Sequence, residues 1–126
     1  MVKSEEPDKT VELNPENFDA LTSKEGILLV DCWAPWCGNC DQFAKLYRRV
    51  AARHPAHLFA TLNTQEQEEI RSSLGIRHVP CLLLYRDGLL LFNQPGNYDE
   101  TTLDDIISQA ERLDMDVVRA EMNREE

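Results

Sequence analysis

Ile27-Leu28-Leu29-Val30-Asp31-Cys32-Trp33-Ala34-Pro35-Trp36-Cys37-Gly38-Asn39-Cys40 decides how this chain folds. Its first four residues form an apolar run with the length and residue type of a buried parallel strand. From Asp41 to Arg53, Phe43, Ala44, Leu46, Tyr47 and Val50 recur at helical spacing. The two closing cysteines therefore stand where a strand gives way to a helix. Cys37 is placed at the helix start and Cys40 one turn later on the same face.

That placement has a chemical consequence. The first backbone N–H groups of a helix lack intrahelical partners and carry partial positive charge. They favour a thiolate at Cys37, and the thiolate is the reactive form of cysteine. Cys40 is close enough in sequence to close a disulfide with it. Such a pair can cycle between dithiol and disulfide, with Cys37 attacking and Cys40 resolving the mixed disulfide.

Trp36-Cys37-Gly38-Asn39-Cys40, behind an apolar strand that reaches Asp31, resembles the active-site stretch of thioredoxins. Far along the chain, Gly75-Ile76-Arg77-His78-Val79-Pro80 resembles the segment that carries the family's cis-proline loop. Two motifs in the right order are more specific than a lone CxxC. The resemblance covers roughly Val11 to Leu113. It implies a mixed central sheet with helices on both faces, and it implies roles. Asp31 would lie buried beneath Cys40 and act as its general base. Trp36 and Gly38 would contact substrate, Pro80 would be the cis-proline, and the backbone of Val79 would pair with an incoming peptide as an added strand. Gly96 would let that substrate approach closely. The chain departs from the common family pattern at Asn39, where proline is usual, and at Asp41 and Thr61, where lysine is frequent. These changes bear on the redox potential, because nearby negative charge disfavours a thiolate.

The remaining sequence sets bounds. The chain has 126 residues and a net charge of −10, from 13 basic and 23 acidic side chains. That length suits one domain. The charge argues against nucleic acid and against an anionic membrane as partners. No apolar run approaches a membrane span. Met1 to Thr10 is charged, does not read as a signal peptide, and is expected to be a flexible tail. A cytosolic location and a monomer are the resulting expectations. Four cysteines in a cytosolic domain favour redox or metal chemistry over a disulfide scaffold.

In chain order, Val11-Glu12-Leu13 reads as a short edge strand, and Asn14-Pro15 as the N-cap and first turn of a helix ending near Gly26. Pro55 closes the cysteine helix after His54. His57 to Leu62 reads as a strand, Gln65 to Leu74 as a helix stopped by Gly75, and Cys81 to Tyr85 as another apolar strand. Arg86-Asp87-Gly88 signals a hairpin to Leu89–Phe92, followed by a loop over Asn93–Asn97. Asp99 or Thr101 caps a helix whose apolar positions are Leu103, Ile106, Ile107 and Ala110. The fold class is α/β, a three-layer α/β/α sandwich of the thioredoxin type. The expected organisation is a tail over 1–10, a domain over 11–113 and an acidic helical extension over 114–126 that continues the preceding helix, with a partner-docking tail as the alternative.

Other residues read more plainly. A zinc site at Cys37 and Cys40 would need a second ligand pair. Cys32 and Cys81 lack CxxC spacing, and His54, His57 and His78 do not cluster in sequence, so no metal is expected. Cys32 and Cys81 read as small buried hydrophobes, with Cys81 near the redox pair through its neighbour Pro80. Trp33 reads as a core residue. Arg77 and His78 read as solvated. The function expected is reduction of protein disulfides by the Cys37/Cys40 dithiol, with a thioredoxin reductase or another dithiol donor as partner and no bound cofactor. The alternatives are a disulfide oxidase or isomerase of higher potential, and a non-enzymatic partner-binding module.

Overall fold

The computed structural model describes residues 9–124. In chain order its elements are β1 (Val11–Glu12), α1 (Phe18–Thr22), β2 (Ile27–Trp33), α2 (Gly38–Arg53), β3 (Leu58–Asn63), α3 (Glu68–Ser73), β4 (Cys81–Arg86), β5 (Leu89–Pro95), α4 (Glu100–Glu111) and α5 (Met115–Arg124). The strands form one sheet in the order β1-β3-β2-β4-β5. β3 runs parallel to both β1 and β2, whereas β4 is antiparallel to β2 and to β5. The sheet is therefore mixed. Of the expected tail over 1–10, residues 1–8 lie outside the described residues.

β2 is the middle strand, and both its faces are covered, which is why it reads as an unbroken apolar run. Strand alternation sorts its side chains. Ile27 and Leu29 pack with Phe43, Tyr47, Leu103 and Ile107 of α2 and α4. Leu28, Val30 and Cys32 pack with Leu62, Ile76 and Leu83, over which Phe18 and Leu21 of α1 and Ile70 of α3 close the opposite layer. The same parity puts Asp31 on the α2 side. Tyr47 anchors that side: its ring meets Phe59 edge-on at 5.5 Å, and its buried hydroxyl donates to the Ala60 carbonyl at 2.8 Å.

Several boundaries move for local reasons. Asn14 does not cap α1 directly. Its side chain accepts from the Asn17 N–H at 2.9 Å while Asn17 Oδ1 accepts from the Asn14 N–H at 2.8 Å, a reciprocal cap on one turn that precedes the helix. α3 starts late because Asn63 Oδ1 accepts from the N–H groups of Gln65 and Glu66, holding a turn in place of helix. It ends at Gly75, where the Ile76 N–H bonds Arg71 O and the Gly75 N–H bonds Ser72 O with φ at +69°, a Schellman closure. The loop expected over Asn93–Asn97 is mostly strand: Asn93, Gln94 and Pro95 pair with Leu83, Leu82 and Cys81.

The C-terminal extension is also corrected. It is not a continuation of α4. The chain turns at Arg112–Asp114, and Asp114 Oδ1 accepts from the N–H groups of Asp116 and Val117, starting α5 as a separate helix. The corner is fastened by Arg86, whose Nη1 donates to Ala110 O at 2.6 Å and to Leu113 O at 3.2 Å. Met115 is buried beneath it, and Val117 and Met122 face outward.

Candidate active site

β2 ends at Trp33, and the chain turns through Ala34-Pro35-Trp36 with the Cys37 N–H donating to Ala34 O at 3.1 Å. Cys37 is the N-cap of α2, in extended backbone geometry, and Cys40 lies in the first helical turn. The two are joined as a disulfide, with their Cα atoms 5.4 Å apart. Cys37 is half-buried and Cys40 is buried. One sulfur is thus open to a partner and the other is held behind it, at a helix start whose N–H groups favour negative charge on sulfur. Trp36 beside them is 72% exposed.

Asp31 sits on the inner side of this pair. It is 1% exposed, and its Oδ1 has no hydrogen-bond partner. Burial pushes its carboxyl up from 3.8 to about 7, partly offset by the Arg48 guanidinium. Asp31, Trp33, Cys40, Arg48 and Thr61 line one cavity of about 270 Å³, so the carboxyl and the inner cysteine share a space. Trp33 is therefore a half-buried wall residue and not a core residue. Arg48 was not singled out from the sequence. Its signal is present, however: Cys40, Ala44 and Arg48 follow one another at four-residue steps along one face of α2. It supplies a positive charge to a site in which Asp41 and Thr61 replace frequent lysines.

The second motif comes alongside. The Val79–Pro80 peptide is cis, and Pro80 O accepts from the Gly96 N–H at 2.9 Å, tying the end of β5 to this loop. Trp36, Ile76, Arg77 and Val79 line a shared cleft of about 190 Å³, which joins the cysteine turn to the proline loop. Gly96 has φ at +155°, where side chains are rarely accommodated, and a Cβ there would come within 3.2 Å of the Tyr98 ring. Gly38 is exposed beside the pair.

Cys32 and Cys81 lie elsewhere. They face each other across β2 and β4, both buried, in the layer on the far side of the sheet from α2. A hydrogen bond with Cys81, and then burial, raise the Cys32 thiol well above its usual range; the same hydrogen bond lowers Cys81 against the opposing effect of burial. Proximity to Pro80 in sequence does not bring the Cys81 side chain to the Cys37–Cys40 face. His78 and Arg77 are exposed on the proline loop. His54 and His57, separate in the sequence reading, stack with ring centroids 6.0 Å apart.

The thioredoxin family model matches residues 9–109. The chain is 42% identical over 110 residues to a protein named "Putative thioredoxin 2" from Streptomyces coelicolor, covering 87% of this chain and 82% of that relative. It is 33% identical over 79 residues to Thioredoxin C-3 of Corynebacterium nephridii, covering 62% of this chain and 54% of the other. A mutant thioredoxin from Halobacterium salinarum NRC-1 superposes with a TM-score of 0.77 at 27% identity, over 89% of this chain and 99% of that structure.

Proposed function

The chain belongs to the thioredoxin family, and from that premise we propose that it reduces disulfides in protein substrates through Cys37 and Cys40. Thiol-disulfide oxidoreduction follows from the family and the cysteine pair together; the direction, the substrates and the residue roles are our reading. The observation that carries it is the arrangement of one half-buried cysteine at a helix start, with its fully buried partner facing the cavity of an ionisable Asp31.

In the reduced protein, Cys37 thiolate attacks one sulfur of a target disulfide. A mixed disulfide forms, and the displaced target thiolate takes a proton. Asp31 accepts the proton of Cys40, which attacks Cys37 Sγ. The Cys37–Cys40 disulfide closes, and the second target sulfur leaves as a thiolate that takes the proton held by Asp31. Two electrons pass from protein to target, with one proton from Cys40 by way of Asp31 and one from solvent, and an external dithiol donor such as a reductase restores the dithiol. The exposed Trp36, Gly38, the Val79 backbone, Pro80 and the open face at Gly96 form the substrate surface. No helix among the described residues is long and apolar enough to cross a membrane. We place the protein in the cytosol as a monomer, where dithiol donors keep the pair reduced.

The test is reduction of insulin disulfides with dithiothreitol as donor. Cys37→Ser should abolish catalysis, and Cys40→Ser should accumulate a mixed disulfide through Cys37. Catalysis that survives Cys37→Ser would overturn the reading. A potential near that of dedicated oxidants, found by equilibration against glutathione, would reverse the direction assigned here.

A further inference from the structure

The opposite end of α2 holds a second cluster of reactive side chains. α2 is 16 residues long, so this end lies about 24 Å from Cys37 at 1.5 Å per residue. His54 is the C-cap of α2, and His57 follows in the turn to β3. α4 passes alongside and presents Asp104 and Glu111 two turns apart on one face. His57 Nε2 lies 2.6 Å from Glu111 Oε2, and His54 Nε2 lies 3.0 Å from Asp104 Oδ1. The two rings are nearly parallel, at 15°. One ligand atom from each of His54, His57 and Glu111 lies within 4.8 Å of the others.

Two hydrogen bonds from the end of α2 and the turn after it to α4 would account for each contact singly. They do not account for two stacked imidazoles turned with their polar edges toward carboxylates of the same helix. Two imidazole nitrogens and one carboxylate oxygen are a ligand set suited to zinc, with coordination left for water. Ligand atoms around tetrahedral zinc stand roughly 3.3 Å apart, given metal–ligand bonds near 2.0 Å. Closing from 4.8 Å needs side chains to rotate, and Glu111, held to His57 but 46% exposed in its side chain, has room to do so. Asp104 has a different part. Its Oδ2 is held by Arg53 at 2.6 Å, which leaves Oδ1 to orient the His54 ring.

We propose that His54, His57 and Glu111 form a binding site for a divalent transition-metal ion of the zinc type, joining the end of α2 to α4. The site is independent of the disulfide chemistry at the other end of the helix. Because free thiols bind zinc, the test uses the full chain with Cys37–Cys40 oxidised, stripped of metal and titrated with zinc chloride by calorimetry. One ion per chain should bind. His54→Gln with His57→Gln should abolish binding, Glu111→Gln should weaken it at least tenfold, and His78→Gln should leave it unchanged. Cobalt(II) should give an intense visible band with the parent protein and a faint one with the double variant. The exposed Glu111→Gln variant keeps the test meaningful if the histidine pair also supports folding. Equal zinc affinity in the parent, Glu111→Gln and double-histidine proteins, or no binding at all, would overturn the proposal. Insulin reduction by the reduced protein, unchanged in all three, would separate that failure from any failure of the redox reading.

Discussion

Two pairs of cysteines lie on opposite faces of one strand, and they share almost nothing but sulfur. Cys37 and Cys40 stand on the α2 side, at a helix start, with an exposed tryptophan beside them. Cys32 and Cys81 face each other in the sheet interior, buried among Leu62, Ile76 and Leu83. One parity step along β2, from Asp31 to Cys32, separates the two environments. Thiol chemistry is set here by access to water and to unpaired helix N–H groups, and not by the number of thiols.

The contrast is broken most directly by alkylation. In the reduced protein at pH 7, Cys37 should react with iodoacetamide at least about a hundredfold faster than Cys32 or Cys81, because its thiolate is favoured by the helix start and reachable while both other thiols are buried. Peptide mapping by mass spectrometry reads this out. Comparable labelling of Cys81 would mean that the sheet interior opens on the labelling timescale.

Asp31 gives the next effect, because its side chain lies on the reactive pair's side of β2 and lines a cavity with Cys40. Its folded pKa of about 7 lies above its unfolded value of 3.8. The carboxyl is protonated in both states below about pH 3, so it carries no penalty there. As pH rises from about 3 to 7 the unfolded chain ionises first and stability is lost, and above about 7 the loss is complete. Three pK units correspond to on the order of 4 kcal/mol. Asp31→Asn should therefore be more stable than the parent at pH 8 and equal to it below about pH 3, by urea unfolding. The same variant should resolve mixed disulfides about a hundredfold more slowly, with the initial attack little changed, by stopped-flow fluorescence of Trp36. Equal slowing of both steps would remove Asp31 from the role of base.

The smallest effect sharpens the comparison within the reactive pair itself. Asn39 is exposed in the first turn of α2, and its N–H is one of the donors available to Cys37. Proline there would keep helical φ but delete that donor. Asn39→Pro should destabilise the thiolate and make the pair more reducing by tens of millivolts, where 30 mV is about 1.4 kcal/mol. Equilibration against glutathione measures it. An unchanged potential would assign control to Arg48 and Asp41 instead.

The parts legible in the sequence are those encoded locally. The β2 run, the α2 periodicity and the CxxC at their junction place the dithiol, and Arg86-Asp87-Gly88 places the hairpin, with Asp87 and Gly88 both at positive φ. The separate helix α5 was not legible, because the corner at Arg112–Asp114 contains neither glycine nor proline and is fixed by Arg86 from a distant hairpin. Nor was the histidine cluster, since Glu111 and Asp104 reach His57 and His54 only after α4 packs on α2. Asp31 was legible as a candidate. Its unpaired Oδ1 depends on packing and shows only in the fold, whereas its cation Arg48 was signalled by the four-residue steps from Cys40 along α2.

A sheet with open sides invites other chains to join it, and both sides of this one are blunted. β1, on one side, has only two residues. β5, on the other, carries a register shift opposite Leu84 and Tyr85 and finishes in Asn93-Gln94-Pro95, whose last residue has no N–H to offer. A passing strand finds either too short a template or one that ends without a donor. Polymerisation through backbone pairing is thereby discouraged at the sheet margins, so pairing with a substrate backbone is left to the proposed Val79 site beside the dithiol.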